Sequence, residues 1–289
     1  MRLGWLLCVA CALPLAAQDF ENIMSERVAT GLLYVDGLTW SRDGFLVFSD
    51  VLRKTVYRLD PVGPPKPTEE NRNGAQGLVY DGQSRLYLCE PSMHRVARMD
   101  KRGKAEVLVE AYQGKKLNGP NDITVRKDGN AYFTDPSFGS ATESRELDYN
   151  GIYRIAPKGE VELVAKWTTR PNGITVSADG KNLYVTDSDR RTLVAFDLDG
   201  KGAASNQRDV FGKIVGVPGG LRTDVNGRFY IAAKGLGVYT REGKLVHTFL
   251  PTEVITNCTF GDPDMETLYA SGRKAVYKIR LGVKGSVQY

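Results

Sequence analysis

The chain contains only two histidines, His94 and His247, in 289 residues. Both fall on predicted third or outer strands, so a zinc centre built on several imidazoles and a Ser-His-Asp triad are both poor fits. Cysteine is also scarce: Cys8 and Cys11 lie in an apolar N-terminal run, which leaves Cys89 and Cys258. Charge of one sign is nowhere concentrated. The 39 Lys and Arg and 34 Asp and Glu are scattered to a net +5, with no basic stripe to hold nucleic acid. No long amphipathic helical pattern occurs. The apolar run Leu3 to Leu15 is too short to span a bilayer.

That run instead has the layout of an export signal. Arg2 supplies the positive end, and Pro14-Leu15-Ala16-Ala17 supplies small residues before Gln18. The expectation is a signal peptide over residues 1–17, cleaved after Ala17, and a periplasmic or secreted product. The poor fit of the residues before Cys8 and Cys11 argues against a lipid anchor.

What the chain has in quantity is glycine (31), tyrosine (14) and phenylalanine (10), which suits many short strands joined by tight turns. Six times a short run reaches a small or polar pair and enters an apolar-alternating stretch. The pairs are Asp36-Gly37, Gln76-Gly77, Asn121-Asp122, Asn172-Gly173, Gly219-Gly220 and Asn257-Cys258, at intervals of 40, 45, 51, 47 and 38 residues. Each is followed by a turn such as Asp43-Gly44, Asp81-Gly82, Asp128-Gly129, Asp179-Gly180 or Asn226-Gly227, strong hairpin signals between apolar runs. A strand-rich repeat of this period implies a propeller. The fold expected is all-β, one six-bladed β-propeller over residues 20–289. The last repeat lacks a fourth strand, and Ser25–Gly31 is placed to supply it and close the ring. Fourth strands are predicted at Ala105–Val109, Glu160–Val164 and Leu245–Leu250, and long loops at residues 62–73 and 137–150, the second a candidate lid. Cys89 and Cys258, in the second and sixth repeats, are expected as two buried thiols, because a disulfide needs Cα atoms within about 7 Å.

Equivalent positions in successive blades meet at one mouth, so Asp36, Gln76, Asn121, Asn172 and Asn257 would bring side-chain oxygens together. Such a set suits a hard cation such as Ca²⁺ or Mg²⁺. Arg222 and Lys234, after the fifth pair, are candidates to orient an anionic substrate. Trp40, Tyr132 and Tyr184 are expected in packing. Asn257-Cys258-Thr259 matches a glycosylation sequon but is read as a mouth position.

Three segments resemble the gluconolactonase/regucalcin (senescence marker protein) family, which also includes diisopropylfluorophosphatase. They are Leu117-Asn-Gly-Pro-Asn-Asp-Ile-Thr-Val with Tyr132-Phe-Thr-Asp-Pro, Arg170-Pro-Asn-Gly-Ile-Thr-Val-Ser with Leu183-Tyr-Val-Thr-Asp, and Thr256-Asn-Cys-Thr-Phe-Gly with Thr267-Leu-Tyr. The resemblance implies a six-bladed propeller that hydrolyses a sugar lactone or related ester with a divalent cation. Ca²⁺ is the first choice, with Mg²⁺, Mn²⁺ or Zn²⁺ as alternatives. It places metal ligands at Asp36, Asn121 and Asn172; Gln76, Arg222 and Asn257 are read from their mouth positions as substrate contacts. The fourth ligand, an Asp in the family, is replaced in Pro218-Gly219-Gly220. Glu90, Asp135 or Asp187, at the ends of second strands, could compensate; Asp36 and Glu90 are the candidate catalytic bases. An acid restored at 219 should tighten cation binding. The partner implied is a small molecule, with no nucleic acid and no membrane after signal cleavage, acting on a monomer. The alternatives are a non-catalytic propeller that binds a ligand or partner, favoured by Gly219, and a hydrolase of another ester or phosphotriester.

Overall fold

A computed structural model describes residues 19–69, 73–138 and 145–286. The expected signal peptide and the centre of the candidate lid lie outside the described residues. Strand β1 (Ser25–Ala29) comes first. One four-stranded sheet follows, of β2 (Val35–Ser41), β3 (Phe45–Asp50), β4 (Thr55–Leu59) and β5 (Lys66–Glu69). The next contains β6 (Leu78–Tyr80), β7 (Leu86–Glu90), β8 (Arg95–Met99) and β9 (Ala105–Val109). A short ribbon of β10 (Ala111–Tyr112) and β11 (Lys115–Lys116) leads into β12 (Ile123–Val125), β13 (Ala131–Asp135), β14 (Asn150–Ile155) and β15 (Val161–Trp167). A fourth sheet holds β16 (Pro171–Val176), β17 (Asn182–Asp187), β18 (Thr192–Leu198) and β19 (Ala204–Phe211). The remainder, β20 (Leu221–Thr223), β21 (Phe229–Tyr239), β22 (Leu245–Gly261), β23 (Thr267–Gly272) and β24 (Ala275–Arg280), joins β1 in one six-stranded sheet. The fold is all-β and propeller-like. Among the described residues no helix is long and apolar enough to cross a membrane.

The turns show why these runs form hairpins. The Gly44 N–H closes on the Ser41 carbonyl at 3.0 Å. Gly44 has φ of +86°, where a side chain would be strained. Two edge strands are additions to the sequence expectation. β5 lies inside the predicted loop, where Pro67 is tolerated because it needs no ladder donor at an edge. β19 is mostly exposed and polar, so it has no apolar alternation to reveal it.

The apolar core lies between sheets. Val47 and Val56 pack with Leu78 and Leu88; Cys89 and Val96 pack with Ile123 and Phe133. Tyr132 and Ile152 meet Ile174 and Val185, and Leu193 meets Leu221 and Ile231. Tyr230 packs with Cys258 and Leu268, and Leu38 and Trp40 with Tyr269 and Val276. Each sheet buries its faces only against its neighbours. Each fully buried Leu, Val or Phe contributes about 1.5–3 kcal/mol. Trp40 stacks on Tyr269 at 5.7 Å, the Tyr132 hydroxyl donates to Gly202, and Tyr184 meets Phe229 edge-on, so all three serve packing. Cys89 and Cys258 are buried free thiols.

The starts of the inner strands are tied in sequence. Ser49, Thr134 and Thr186 each donate a hydroxyl to the next inner strand, at the carbonyls of Gln76 (3.4 Å), Asn172 (2.6 Å) and Gly219 (2.7 Å). Gly77 N–H donates to Asn121 O at 2.7 Å, and Gly220 N–H to Thr256 O at 2.9 Å. Thr256 Oγ1 donates to Val35 O at 2.8 Å, joining the last inner strand to the first. Strand β1 pairs antiparallel with β24, from Ser25↔Ile279 to Ala29↔Val276.

Candidate active site at the channel mouth

Register sorts the inner strands into layers. Asp36 lies opposite Ser49 and Thr39 opposite Val47. In the last inner strand, Asn257 lies opposite Ser271 and Thr259 opposite Tyr269, with a bulge before Asn257. Aligning Thr259 with Thr39 puts Thr256, not Asn257, at the mouth level of Asp36. The expected sixth pair is therefore displaced by one residue. Sequence spacing misses this because the β22–β23 turn, residues 262–266, is longer than the β2–β3 turn, residues 42–44. The mouth layer is Asp36, Gln76, Asn121, Asn172, Gly219 and Thr256. Below it lie Gly37, Gly77, Asp122, Gly173, Gly220 and Asn257.

Glycine in the lower layer is a steric requirement. A Cβ on Gly37 would lie 1.8 Å from Gln76 O, and one on Gly220 would lie 1.9 Å from Asn257 Oδ1. The two side chains present there, Asp122 and Asn257, occupy the space those glycines leave.

At the mouth, each amide is oriented by its own NH₂ group. Asn121 Nδ2 donates to Gln76 Oε1 at 2.8 Å, and Asn172 Nδ2 donates to Ser188 Oγ at 3.1 Å. Both arrangements leave the Oδ1 atoms as the ends available to a cation. The loop carrying Asn121 is rigidly held. Asp135 accepts the Asn118 and Gly119 N–H groups at 2.9 and 2.7 Å, and His94 Nδ1 sits 2.9 and 2.7 Å from the Leu117 and Asn118 carbonyls. His94 is thus no third-strand residue. It lies in a left-handed turn before β8, with φ of 54°, and supports the mouth.

Asp36 is half-buried and accepts the Gly37 N–H at 3.0 Å. Burial, and then the nearby negative charge of Asp122, push its carboxyl up to about 7; the Gly37 N–H and the Asn257 amide oppose the shift. Burial also raises Asp122 above the ordinary carboxylate range, against the Arg222 charge, backbone N–H groups and the Asn257 amide. Asp122 Oδ2 accepts the Ile174 N–H at 3.1 Å, and its Oδ1 lies 3.4 Å from Asn257 Nδ2.

Other expected site residues lie elsewhere. Asn257 sits below the mouth, its Oδ1 accepting the Cys258 N–H at 2.9 Å and its NH₂ turned to the carboxylates. Arg222 is deeper still, lining a channel cavity of about 50 Å³ with Thr39, Thr124, Thr175 and Thr259. It stands at the level where four other inner strands place threonine. Lys234 is exposed, paired in register with Val254. Glu90 is buried and its Oε2 is held by Arg95 Nε at 2.5 Å, while its Oε1 has no hydrogen-bond partner. Asp135 is committed to the 118–119 loop. Asp187 holds Trp167 Nε1, Thr169 Oγ1 and the Asp189 and Arg190 N–H groups. Neither of the latter two compensates for Gly219. Restoring an acid there is also obstructed, because a Cβ at 219 would lie 2.4 Å from Thr256 O.

Among the described residues no group of three or more His, Cys, Asp or Glu converges as a metal site. The donor set at the mouth is one carboxylate with amide oxygens, which fits Ca²⁺ chemistry better than that of a soft metal.

A family model described as "SMP-30/Gluconolactonase/LRE-like region" matches residues 35–272. The chain is 28% identical over 293 residues to a gluconolactonase from Zymomonas mobilis, covering 90% of this chain and 82% of that one. It is 26% identical to regucalcin from Pongo abelii, covering 97% of each. A solved gluconolactonase from Xanthomonas campestris superimposes with a TM-score of 0.85 at 28% identity, covering 92% of each chain.

Proposed function

Because the chain belongs to the SMP-30/gluconolactonase/LRE-like family, we propose that it is a lactone hydrolase whose chemistry occurs at the mouth formed by Asp36, Asn121 and Asn172. The lactonase relatives support the hydrolase reading. The observation that carries the site is the pair of tied amides: Gln76 and Ser188 engage the Asn121 and Asn172 nitrogens, leaving both amide oxygens outside those bonds in the layer that also holds Asp36.

These three residues would hold a divalent cation, Ca²⁺ in this reading, which when bound would polarise the lactone carbonyl and stabilise the charge developing on its oxygen. Asp36 is the carboxylate of this layer and the candidate to take a proton from the attacking water. The water oxygen bonds to the carbonyl carbon, the ring C–O bond breaks, and the departing ring oxygen recovers a proton, giving a hydroxy acid. Glu90 takes no part in this scheme because it is buried and engaged by Arg95. Gln76 orients Asn121 and edges the substrate space, and Asn257 positions the carboxylates. His94, Asn118 and Asp135 fix the loop that presents Asn121.

The architecture proposed is a six-bladed propeller. Strands β21 and β22 bend at Gly235 (φ +77°) and Leu250 (φ 52°). Dividing the six-stranded sheet there gives a fifth and a sixth blade, the latter completed by β1. Export of a monomer with residues 1–17 removed completes the reading.

Chelator-stripped protein titrated with Ca²⁺ in a calorimeter, alongside a pH-stat assay of lactone opening, tests it. Saturable binding with metal-restored hydrolysis is expected. Hydrolysis without any bound cation would remove the metal from the account. A ligand-binding propeller without catalysis would instead give cation or ligand binding with no lactone opening.

A further inference from the structure

We propose that Asp122, one layer below the mouth, supplies the negative charge that Gly219 withholds, and that Arg222 opposes it from the channel side, so that the two set how tightly the mouth holds a cation. This rests on the metal reading of the mouth.

The lower layer is glycine at 37, 77, 173 and 220, and each of these lies hard against its neighbour. Asp122 is the one acid in that layer. A Cβ on Gly77 would lie 2.9 Å from Asp122 Oδ1, so the carboxylate uses the space that Gly77 leaves open. The carboxylate is almost fully buried, at 1% exposure, where an uncompensated charge is costly. Its partners are the Ile174 and Ile123 N–H groups, a long contact from Asn257, and the Arg222 charge acting across the channel. In the same layer, Asn257 Nδ2 lies 3.4 Å from Asp122 Oδ1 and its amide also engages Asp36, which feels the Asp122 charge. Two like charges joined by one amide form an electrostatic basin that a divalent cation at the mouth relieves.

The position also accounts for Gly219. An acid there meets the Thr256 carbonyl, which donates nothing and cannot yield without moving an inner strand. An acid at 122 occupies a site already vacated by glycine. Hard-cation affinity follows the charge of the surrounding oxygens, whether or not each one touches the ion, because the channel is poorly screened.

Calorimetric Ca²⁺ titration of Asp122→Asn, Arg222→Gln and a surface control, Asp197→Asn, tests the assignment. Thermal melts in chelator verify that each is folded. Asp122→Asn should weaken Ca²⁺ by roughly tenfold or more, Arg222→Gln should tighten it several-fold, and Asp197→Asn should leave it unchanged. A merely structural role would weaken binding in both channel variants. Unchanged affinity in folded Asp122→Asn, or weakening in both, overturns the proposal. Should Asp122→Asn not fold, Arg222→Gln decides alone: tightening supports it, no change overturns it. Wild-type protein that binds no divalent cation overturns the metal reading itself, a result distinguishable from the others because it precedes any variant.

Discussion

The NH₂ group of Asn121 donates to Gln76 Oε1 at 2.8 Å, and this bond determines which end of the Asn121 amide faces the mouth. Removing it should leave the amide free to rotate. Gln76→Ala is therefore expected to weaken Ca²⁺ binding by about tenfold, the scale of lost support behind a metal ligand. Calorimetry measures this directly, and melts in chelator should show little change.

Gly219 does not behave as an empty ligand position. A Cβ there lies 2.4 Å from the Thr256 carbonyl, so Gly219→Ala and Gly219→Asp should both destabilise the fold by about 1–3 kcal/mol. Differential scanning calorimetry in chelator should show both midpoints lowered, by about 2–4 °C for each kcal/mol. A Gly219→Asp variant as stable as the parent with much tighter Ca²⁺ binding would show that the strand start yields easily.

Cation binding should depend on pH through Asp36. Its carboxyl, raised to about 7, must lose its proton before it can coordinate, so affinity should rise from pH 6 to pH 8. Binding near pH 7 should release protons, seen as a buffer-dependent heat in calorimetry. Asp36→Asn should abolish that release.

Asp135 gives a pH signature in stability. Burial raises its folded carboxyl to about 7, against about 3.9 in the unfolded chain. The folded state then binds more protons between these values, so this group's contribution to stability falls as pH rises from about 4 to 7 and is level outside that window. Melting Asp135→Asn and the parent in chelator from pH 4 to 8 should show the parent's advantage shrinking across the window.

Much of this molecule is legible in local chemistry. Mouth pairs at 36, 76, 121, 172 and 219 are marked by turn residues a few positions away, and the order of strands follows from Asp-Gly and Asn-Gly hairpins. β5 and β19 escape because edge strands need neither apolar alternation nor freedom from proline. Asn257 is misplaced by one because a longer turn at 262–266 shifts the spacing that local signals provide. The parts that sequence does not reveal are those made by convergence. Asp122 reads as the second half of a motif, and only the packing of inner strands brings it against Gly77, Asn257 and Arg222. His94 reads as a strand residue, yet the fold brings its ring to the loop carrying Asn121.

The most direct measurement is the rate of opening of a panel of sugar lactones by the purified protein as isolated, after exhaustive chelation, and after Ca²⁺ is restored. The account predicts hydrolysis of at least one lactone, its loss on chelation, its recovery with Ca²⁺, and no recovery in a folded Asn121→Ala, Asn172→Ala double variant. Undiminished hydrolysis after chelation, or full Ca²⁺-dependent activity in that variant, would contradict it.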